Sequence, residues 1–399
     1  MRLLFSAYAC APDKGSEPGA GWEFLAAAAQ VATAVTVVTR RKNASAVTAA
    51  TLTWTTPVQV VAFDLGTTTL RLKRVLPFGT QLYYCLWQAR ALRMVRGLHR
   101  LEPFDLSHHC TFASAWLPAF ASRLGTPYVW GPVGGLVHMQ SRDLRMLPLA
   151  GRLEELVRIG LAGLGYALWG RTLLRNAAVV LAQSETEREL MGRPAKVIAH
   201  PNVIAEPPRE AQVRMSGQSP RRAVIVARLI AWKGVHLAIA AMADQRASDW
   251  ELHVLGDGPQ MQRLRELCDA LALSDRVHLH GYVSHSEVLA EVSRADALIS
   301  ASLHEAAGFA VAEAVAAGTP VIYVARGGPV TIVPEGRGIG VPVSQHIAED
   351  IADALAGLGQ RHEPSDVWSA SRLTPLLREV YGRALAGSHD DRLGAGRKP

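Results

Sequence analysis

Glu305 and Glu313 lie eight positions apart and are the two carboxylates whose surroundings best suit a polar ligand. A segment of small residues ending in Gly308 separates Glu305 from a run of helix formers that contains Glu313. This pattern predicts a loop carrying Glu305, followed by a short helix carrying Glu313. The N–H groups at the start of that helix, near Gly308 and Phe309, lack partners within the helix and attract anions. Carboxylates at this place suit the hydroxyl groups of a sugar whose phosphates lie nearby.

Two cations, Arg228 and Lys233, follow the first strand expected in the second half of the chain. Both fall on the segment between that strand and the next helix. Arginine offers a planar fork of donors and lysine a compact point charge, and both can bind a diphosphate. A departing diphosphate needs such cations most, because it gains charge in the transition state. Taken alone, the pair is better explained as two solvated surface cations.

The first half of the chain reads as alternating strands and helices, which predicts a parallel, doubly wound α/β sheet. A glycine-rich turn at 14–21 separates the first strand from a helix at 22–29. The predicted strands are Leu3–Tyr8, Ala34–Thr39, Val58–Phe63, Asp105–His109, Pro127–Trp130 and Ala178–Ala182.

The same pattern restarts after a polar, proline-containing linker at Glu206–Arg222. Two such units place a ligand between the carboxyl ends of their strands. A last helix is expected at Trp368–Ala386. The predicted strands of this half are Ala223–Val226, Trp250–Leu255, Val277–His280, Ala297–Ser300 and Val321–Val324, and its predicted helices are Gly234–Ala243 and Met261–Leu271.

Three segments together resemble the retaining, nucleotide-sugar-dependent glycosyltransferases of family 4. Glu305 to Glu313, with the A-x-G-T-P-V sequence that follows, is similar to the E-x7-E element of that family. ARLIAWKG at 227–234 is similar to its G-R-L-x-x-x-K-G element, and GSEPGAGW at 15–22 is similar to a segment found in a subset of members.

The resemblance implies a GT-B fold, in which two Rossmann-like domains enclose a ligand cleft and a C-terminal helix crosses back to the first domain. The implied boundaries are 1–203 for an acceptor-side domain, 204–365 for a donor-binding domain, and about 366–386 for the returning helix. The implied function is transfer of a sugar from a nucleotide-diphosphate sugar to a hydroxyl acceptor, with retention of anomeric configuration.

The resemblance also assigns roles to single residues. Glu305 would meet the donor sugar, Glu313 the ribose hydroxyls, and Arg228 and Lys233 the diphosphate. The backbone at Tyr282-Val283 would meet the base. The implied donor-binding residues are Gly15, Arg228, Lys233, Tyr282, Val283, Glu305, Gly308, Phe309 and Glu313.

A histidine pair ends the fourth predicted strand of the first half. The resemblance implies that one of them faces the donor sugar, and we assign this role to His109, with His108 as the alternative. Only one of two adjacent strand residues can face the cleft squarely. His109 thereby joins Glu305, Arg228 and Lys233 in the expected catalytic set.

No metal and no cofactor are expected. No D-x-D sequence follows a strand near the cleft, no third ligand accompanies the histidine pair, and the first glycine segment lacks the G-x-G-x-x-G spacing of nicotinamide-binding proteins. Two other classes stay open, the first because a nucleotide-sugar 2-epimerase shares the GT-B fold and the second because Ala227 and Ala307 depart from the family pattern. A nucleotide-sugar 2-epimerase would turn over donor without acceptor, and a catalytically silent protein would bind donor without transfer.

The 399 residues, with 49% hydrophobic and 19% charged, are typical of a folded protein of two domains. The net charge of +7 favours partners that carry phosphate. Nucleic acid is excluded as the expected partner, since no motif for it occurs. The four scattered cysteines indicate a reducing, cytoplasmic setting.

The segment Arg71–Arg100 contains seven cations, no acidic residue and four aromatic residues. Two interpretations remain open. It could be a basic amphipathic helix that rests on an anionic membrane, which would make the protein peripheral at the inner face of that membrane. It could also be a helix of the first domain with a solvated basic face, and this second interpretation is the preferred one.

Overall fold

A computed structural model describes residues 1–12, 14–76, 78–138, 143–146, 149–208 and 220–395. It contains two parallel β-sheets with helices on both faces, which confirms the GT-B fold. Strands buried on both faces need apolar side chains in both directions, and several predicted strands, among them Leu3–Tyr8 and Val321–Val324, meet this requirement.

The first sheet has seven strands in the order β3-β2-β1-β4-β5-β6-β7. All six strands predicted for this half are present, with ends that differ by up to three residues. The seventh, β7, was missed because it has only three residues. The strands are β1 (Arg2–Ala7), β2 (Ala34–Arg40), β3 (Val58–Phe63), β4 (Leu106–Thr111), β5 (Tyr128–Val133), β6 (Val179–Ala182) and β7 (Val197–Ala199).

The described part of the first half contains seven α-helices, and a short π-helical segment at Tyr166–Gly170 joins the fifth to the sixth. They are α1 (Ser16–Val31), α2 (Arg41–Thr51), α3 (Thr67–Val75), α4 (Gly79–Leu101), α5 (Leu149–Gly165), α6 (Arg171–Asn176) and α7 (Glu185–Leu190).

The glycine-rich segment predicted as a turn at 14–21 is mostly helical, because α1 begins at Ser16 rather than at Trp22. Pro18 lies in the first turn of α1, where the backbone N–H has no helical partner and its absence costs nothing. Glu17, also in the first turn, is favourable at the positive end of the helix dipole.

The second sheet has six strands in the order β10-β9-β8-β11-β12-β13, of which β13 was not predicted. The strands are β8 (Arg221–Val226), β9 (Trp250–Leu255), β10 (Val277–Gly281), β11 (Ala297–Ser300), β12 (Val321–Val324) and β13 (Gly338–Val341). The helices are α8 (Val235–Ala241), α9 (Met261–Ala270), α10 (His285–Arg294), α11 (Phe309–Ala317), α12 (Gly328–Ile332) and α13 (Ile347–Ala356).

The C-terminal helix α14 (Leu373–Ala395) returns to the first sheet, as expected. Leu373, Leu377, Val380 and Ala384 are buried in a cluster with side chains of α1 and β1. The hydroxyl of Tyr381 lies 2.8 Å from Nδ1 of His108 on β4. Much of the predicted linker lies outside the described residues, and the domain boundary at 203/204 stays a prediction.

The basic segment Arg71–Arg100 forms the end of α3 and most of α4 rather than one helix. Its aromatic residues Tyr83, Tyr84 and Trp87 are buried in the first domain. These three aromatic side chains therefore pack in the core of the first domain. Among the described residues, no helix has the length and apolar character needed to cross a membrane.

Candidate active site

A cavity of about 680 Å³ lies between the carboxyl ends of the two sheets. Gly15 and Ser16 contribute its first-domain wall, and the second domain contributes the rest. All the residues predicted to bind the donor line this cavity, namely Gly15, Arg228, Lys233, Tyr282, Val283, Glu305, Gly308, Phe309 and Glu313.

Glu305 is held at both carboxylate oxygens. Oε2 accepts a hydrogen bond from Nζ of Lys233, and Oε1 accepts one from the backbone N–H of Gly308 at 3.2 Å. Gly308 has φ +68°, a left-handed conformation that favours glycine, and α11 begins at the next residue. The loop thus joins a carboxylate, a cation and a helix N-terminus at one wall of the cavity.

The Glu305 loop is supported from behind by the loop at 326–329. The N–H of Gly328 donates to the carbonyl of Glu305 at 2.9 Å. A side chain at Gly327 would collide with that carbonyl, because its Cβ would lie 2.1 Å from the oxygen. This glycine segment therefore acts on Glu305 through the backbone.

The loop also meets the first domain through His304. Arg158 of α5 donates from Nη2 to Nδ1 of His304 at 3.0 Å, and it pairs with Glu155 at 2.6 Å. Although burial opposes it, the hydrogen bonds from Arg158 hold the pKa of Glu155 well below its usual range. A buried ion pair of the first domain thus contacts the residue that precedes Glu305.

Glu313 lies on the face of α11 that lines the cavity, and its Oε1 is 2.8 Å from Nε2 of His285. His285 was not identified from the sequence. It is the first residue of α10, after a Ser284 cap that also bonds Glu287. The S-x-x-E pattern marks the start of a helix, but it does not reveal a contact with a residue 28 positions further on. A methyl group at Gly15 would lie 3.4 Å from the ring of His285.

The pH dependence of donor binding should report on His285. Its hydrogen bond to Glu313 raises its pKa above the ordinary 6.5. The His285–Glu313 pair stabilises the folded protein fully at pH values below the pKa that His285 has in the unfolded chain. This stabilisation is lost as the pH rises through the higher pKa that His285 has in the folded protein. The diphosphate of an intact nucleotide sugar keeps its charge over this range, so binding should tighten as the pH falls and His285 becomes protonated. His285→Gln should flatten this dependence in calorimetric titrations, and an unchanged dependence would remove His285 as its source.

Arg228 and Lys233 flank the segment between β8 and α8, which includes a 3-10 turn at Ala231–Lys233. Arg228 is exposed at the cavity wall, and no ion pair of Arg228 occurs within the described ranges. Tyr282 is 85% exposed at the cavity rim. The side chains of Arg228 and Tyr282 are therefore accessible to a ligand, whereas Lys233 is paired with Glu305.

The structure does not bring His109 to the cavity. Its Nδ1 lies 2.9 Å from Oγ of Ser6 and its Nε2 lies 2.9 Å from the hydroxyl of Tyr84, so both nitrogens are used inside the first domain. Burial lowers its pKa to about 3 and keeps the ring neutral. The alternative, His108, is also buried and bonds Tyr381 and the carbonyl of Gly131.

A second cavity of about 210 Å³ lies in the first domain beside α1. Glu17, Trp116 and Gln183 contribute polar groups to its wall. Glu17 accepts the N–H of Phe112 at 2.5 Å, and burial raises the pKa of this carboxyl despite that bond. A partly shielded carboxylate near an aromatic ring suits a hydroxylated ligand.

The glycine loop at 131–135 reaches this second cavity through Gly134 and Gly135. Glu187 holds the following backbone in place, because its carboxylate accepts the N–H groups of Gly135, Leu136 and Val137 at 2.8–3.1 Å. Burial raises the pKa of Glu187 to about 7, although the three donors oppose this shift. Hydrogen bonds therefore hold this loop in place as part of the wall of the second cavity.

Two family models match successive parts of the chain. A glycosyl transferase 4-like domain matches residues 16–204, and the glycosyl transferases group 1 match residues 209–368. A relative from Streptomyces fradiae, 2-deoxystreptamine N-acetyl-D-glucosaminyltransferase, is 29% identical over 75% of this chain and 77% of that protein.

Solved structures show the same fold. Anabaena HepE in complex with UDP has a TM-score of 0.55 at 17% identity, over 96% of this chain and 100% of that one. Sucrose-phosphate synthase from Thermosynechococcus elongatus has a TM-score of 0.58 at 18% identity, over 99% of both chains. The chain therefore belongs to the GT-B glycosyltransferases, with a glycosyl transferase 4-like first half and a group 1 second half, and it transfers sugar from a nucleotide sugar.

Proposed function

We propose that the 680 Å³ cavity binds the nucleotide-diphosphate sugar and that transfer retains the anomeric configuration. The observation that carries this proposal is the placement of Glu305, Lys233 and the N-terminus of α11 at one wall. Glu305 binds the sugar hydroxyls, and Lys233 and Arg228 bind the diphosphate. Glu313 binds the ribose, and the backbone at 282–283 meets the base.

The reaction needs no side-chain nucleophile. The acceptor oxygen attacks the anomeric carbon on the face from which the diphosphate leaves. The bond between that carbon and the phosphate oxygen breaks, and the same phosphate oxygen takes the proton of the acceptor. Lys233, Arg228 and the N–H groups at Gly308 stabilise the charge that develops on the diphosphate.

The acceptor enters from the first-domain side, through the second cavity beside Glu17. The carboxylate accepts hydrogen bonds from hydroxyl or ammonium groups, and Trp116 offers an apolar face. Relatives that act on 2-deoxystreptamine, a small hydroxylated amine, support an acceptor of that chemical class.

The test is a thermal-shift screen with UDP-, GDP-, ADP- and dTDP-sugars, followed by product analysis with the stabilising donor. A ligand that binds only the native state raises apparent stability. We expect the sugars of one nucleotide to stabilise the protein clearly. The complex of HepE with UDP favours the UDP-sugars. Transfer that requires an acceptor supports the proposal. Donor turnover without acceptor would instead support an epimerase, and no stabilisation by any donor would contradict the donor site.

We also propose a peripheral contact with anionic membrane through the outer faces of α3 and α4. Leu72, Val75, Leu82 and Leu86 are exposed there, and the arginines of α4 at 90, 93, 96 and 100 are exposed as well. Such a surface combines apolar insertion with attraction to anionic lipid.

The protein should co-sediment with anionic vesicles and be released as salt rises, at roughly 1 kcal/mol per basic residue near the surface. Arg93→Glu/Arg96→Glu should abolish sedimentation and leave donor-induced stabilisation unchanged. Equal partition to neutral and anionic vesicles, or to neither, would contradict membrane contact.

A further inference from the structure

Three side chains that can bind a metal ion meet on the second sheet, away from the donor cavity. Glu251 and His253 lie on β9, and His278 lies beside His253 in register on β10. Their nearest ligand atoms all lie within 4.8 Å of one another. None of the three lines the donor cavity. The cluster follows from strand alternation, because Leu252, Val254 and Val277 occupy the opposite face and pack in the core.

His253 has a buried ring nitrogen with no hydrogen-bond partner. The residue is 8% exposed, and the nitrogen concerned is Nε2. This nitrogen points toward Oε2 of Glu251 at a distance of 3.6 Å, which is beyond a hydrogen bond. Buried polar atoms are rarely left unsatisfied in native proteins.

The other nitrogen of His253 explains why. Nδ1 lies 2.9 Å from Nε2 of His280, and this hydrogen bond uses one proton. If Nδ1 of His253 carries that proton, its Nε2 is a bare lone pair that faces a carboxylate oxygen. If Nε2 carries a proton, it has no acceptor within reach. A cation between His253 and Glu251 would bind the lone pair of Nε2 in the first of these arrangements. The hydrogen bond from Nδ1 to His280 would then orient the His253 ring.

We propose that Glu251, His253 and His278 bind a divalent transition metal of the zinc class, with His280 as the orienting neighbour. Zinc bonds to nitrogen and oxygen of about 2.0–2.2 Å in a tetrahedron separate ligand atoms by roughly 3.3–3.6 Å. The distance between His253 and Glu251 fits this edge. Imidazole nitrogens favour zinc over calcium and magnesium, which prefer oxygen ligands.

A cation at this site would meet one nearby positive charge, that of Arg222, which acts electrostatically on His253. Arg222 lies next to Glu251 in register on β8, but its guanidinium donates to Glu291 of α10 at 3.1 Å. Glu291 therefore offsets part of the positive charge beside the proposed site. His280 beside the three ligands is exposed, so water can supply a fourth ligand.

The metal would act on structure rather than on the sugar. Among the residues that the structure describes, β10 is an edge strand that pairs only with β9, and a bound ion would fasten the two together. The segment after β10 leads directly to Tyr282, Val283 and His285 at the donor cavity. The ion thus holds the base-side wall, which does not change the metal-independent chemistry expected in the cavity.

The test uses untagged protein, stripped with chelator and titrated with Co²⁺, whose tetrahedral complexes absorb visibly. We expect saturation at one ion per chain, displacement of cobalt by Zn²⁺, and a higher melting temperature with Zn²⁺. His253→Gln and His278→Gln should abolish saturable binding. His280→Ala removes a neighbour rather than a ligand, so it should weaken binding by about 10–100-fold.

His346 and Glu349 supply the matched control. They form an exposed histidine–carboxylate pair at 3.3 Å on the same domain, and His346→Gln should leave the cobalt spectrum unchanged. The far-UV circular dichroism spectrum of each metal-free variant reports that it is folded, and this readout does not depend on the donor site. Absence of saturable absorption in the unsubstituted protein, or its persistence in both His253→Gln and His278→Gln, would overturn the proposal.

Discussion

Lys233→Ala and Arg228→Ala are each expected to lower kcat by roughly 10²–10³-fold, the loss seen when a preorganised charge stabiliser is removed. Both side chains line the donor cavity. Lys233 should show the larger loss, because its removal also leaves the Glu305 carboxylate, with a side chain only 15% exposed, without its cation. An unpaired carboxylate would then repel the diphosphate.

Steady-state kinetics with the stabilising donor would check this result, together with calorimetric binding of the bare nucleoside diphosphate. Arg265→Ala is a suitable control, because Arg265 is an exposed cation on α9 of the same domain and does not line the cavity. If Lys233→Ala and Arg228→Ala both bind and turn over donor like the unsubstituted protein, the assignment of the diphosphate site is wrong.

Glu305→Gln should mainly impair catalysis, and Glu313→Gln should mainly impair donor binding. The sugar ring changes charge and shape as its bond to the diphosphate breaks, so contacts from Glu305 can strengthen in the transition state. The ribose is bound similarly before and during the reaction, so loss of Glu313 removes uniform binding. We therefore expect Glu305→Gln to lower kcat more, and Glu313→Gln to raise KM more.

The bare nucleoside diphosphate separates the two roles further, because it has a ribose but no donor sugar. Its affinity should fall more in Glu313→Gln than in Glu305→Gln. Glu266→Gln, an exposed carboxylate on α9, should change neither. A reversed pattern would exchange the two roles, and no effect from either variant would make this element structural.

The element around Glu305 could be predicted well because its determinants are local. Small residues, helix formers and a terminal glycine define a loop and a helix over adjacent positions, and α11 begins at Phe309, one residue before the predicted run of helix formers from Ala310. The link between Glu305 and Lys233 joins residues 72 positions apart, and the family resemblance rather than periodicity suggested their proximity.

The histidine pair could not be placed in the same way. The predicted strand ended at His109, whereas β4 continues to Thr111, so the pair lies within the strand rather than at its end. β4 is also a central strand between β1 and β5. Alternation in a sheet covered on both faces sends adjacent side chains into two buried layers. Neither histidine therefore reaches the cleft.

His285 shows a different limit. Its contact with Glu313 depends on how α10 lies against α11, and such packing between helices leaves no short-range pattern in the sequence. The charge and spacing of the two residues are unremarkable when read along the chain. Only their placement on neighbouring helices makes them a pair.

The return of α14 to the first domain has a consequence for the order in which the halves can form during synthesis. Leu373, Leu377, Val380, Tyr381 and Ala384 are at most 1% exposed and fill the core beside α1 and β1. These residues leave the ribosome after the whole second sheet. The N-terminal half, although made first, cannot close its core until then, whereas the strands of the second sheet form one uninterrupted stretch of chain. The second domain is synthesised later than the first, yet it is the first of the two for which all strands and core residues have left the ribosome.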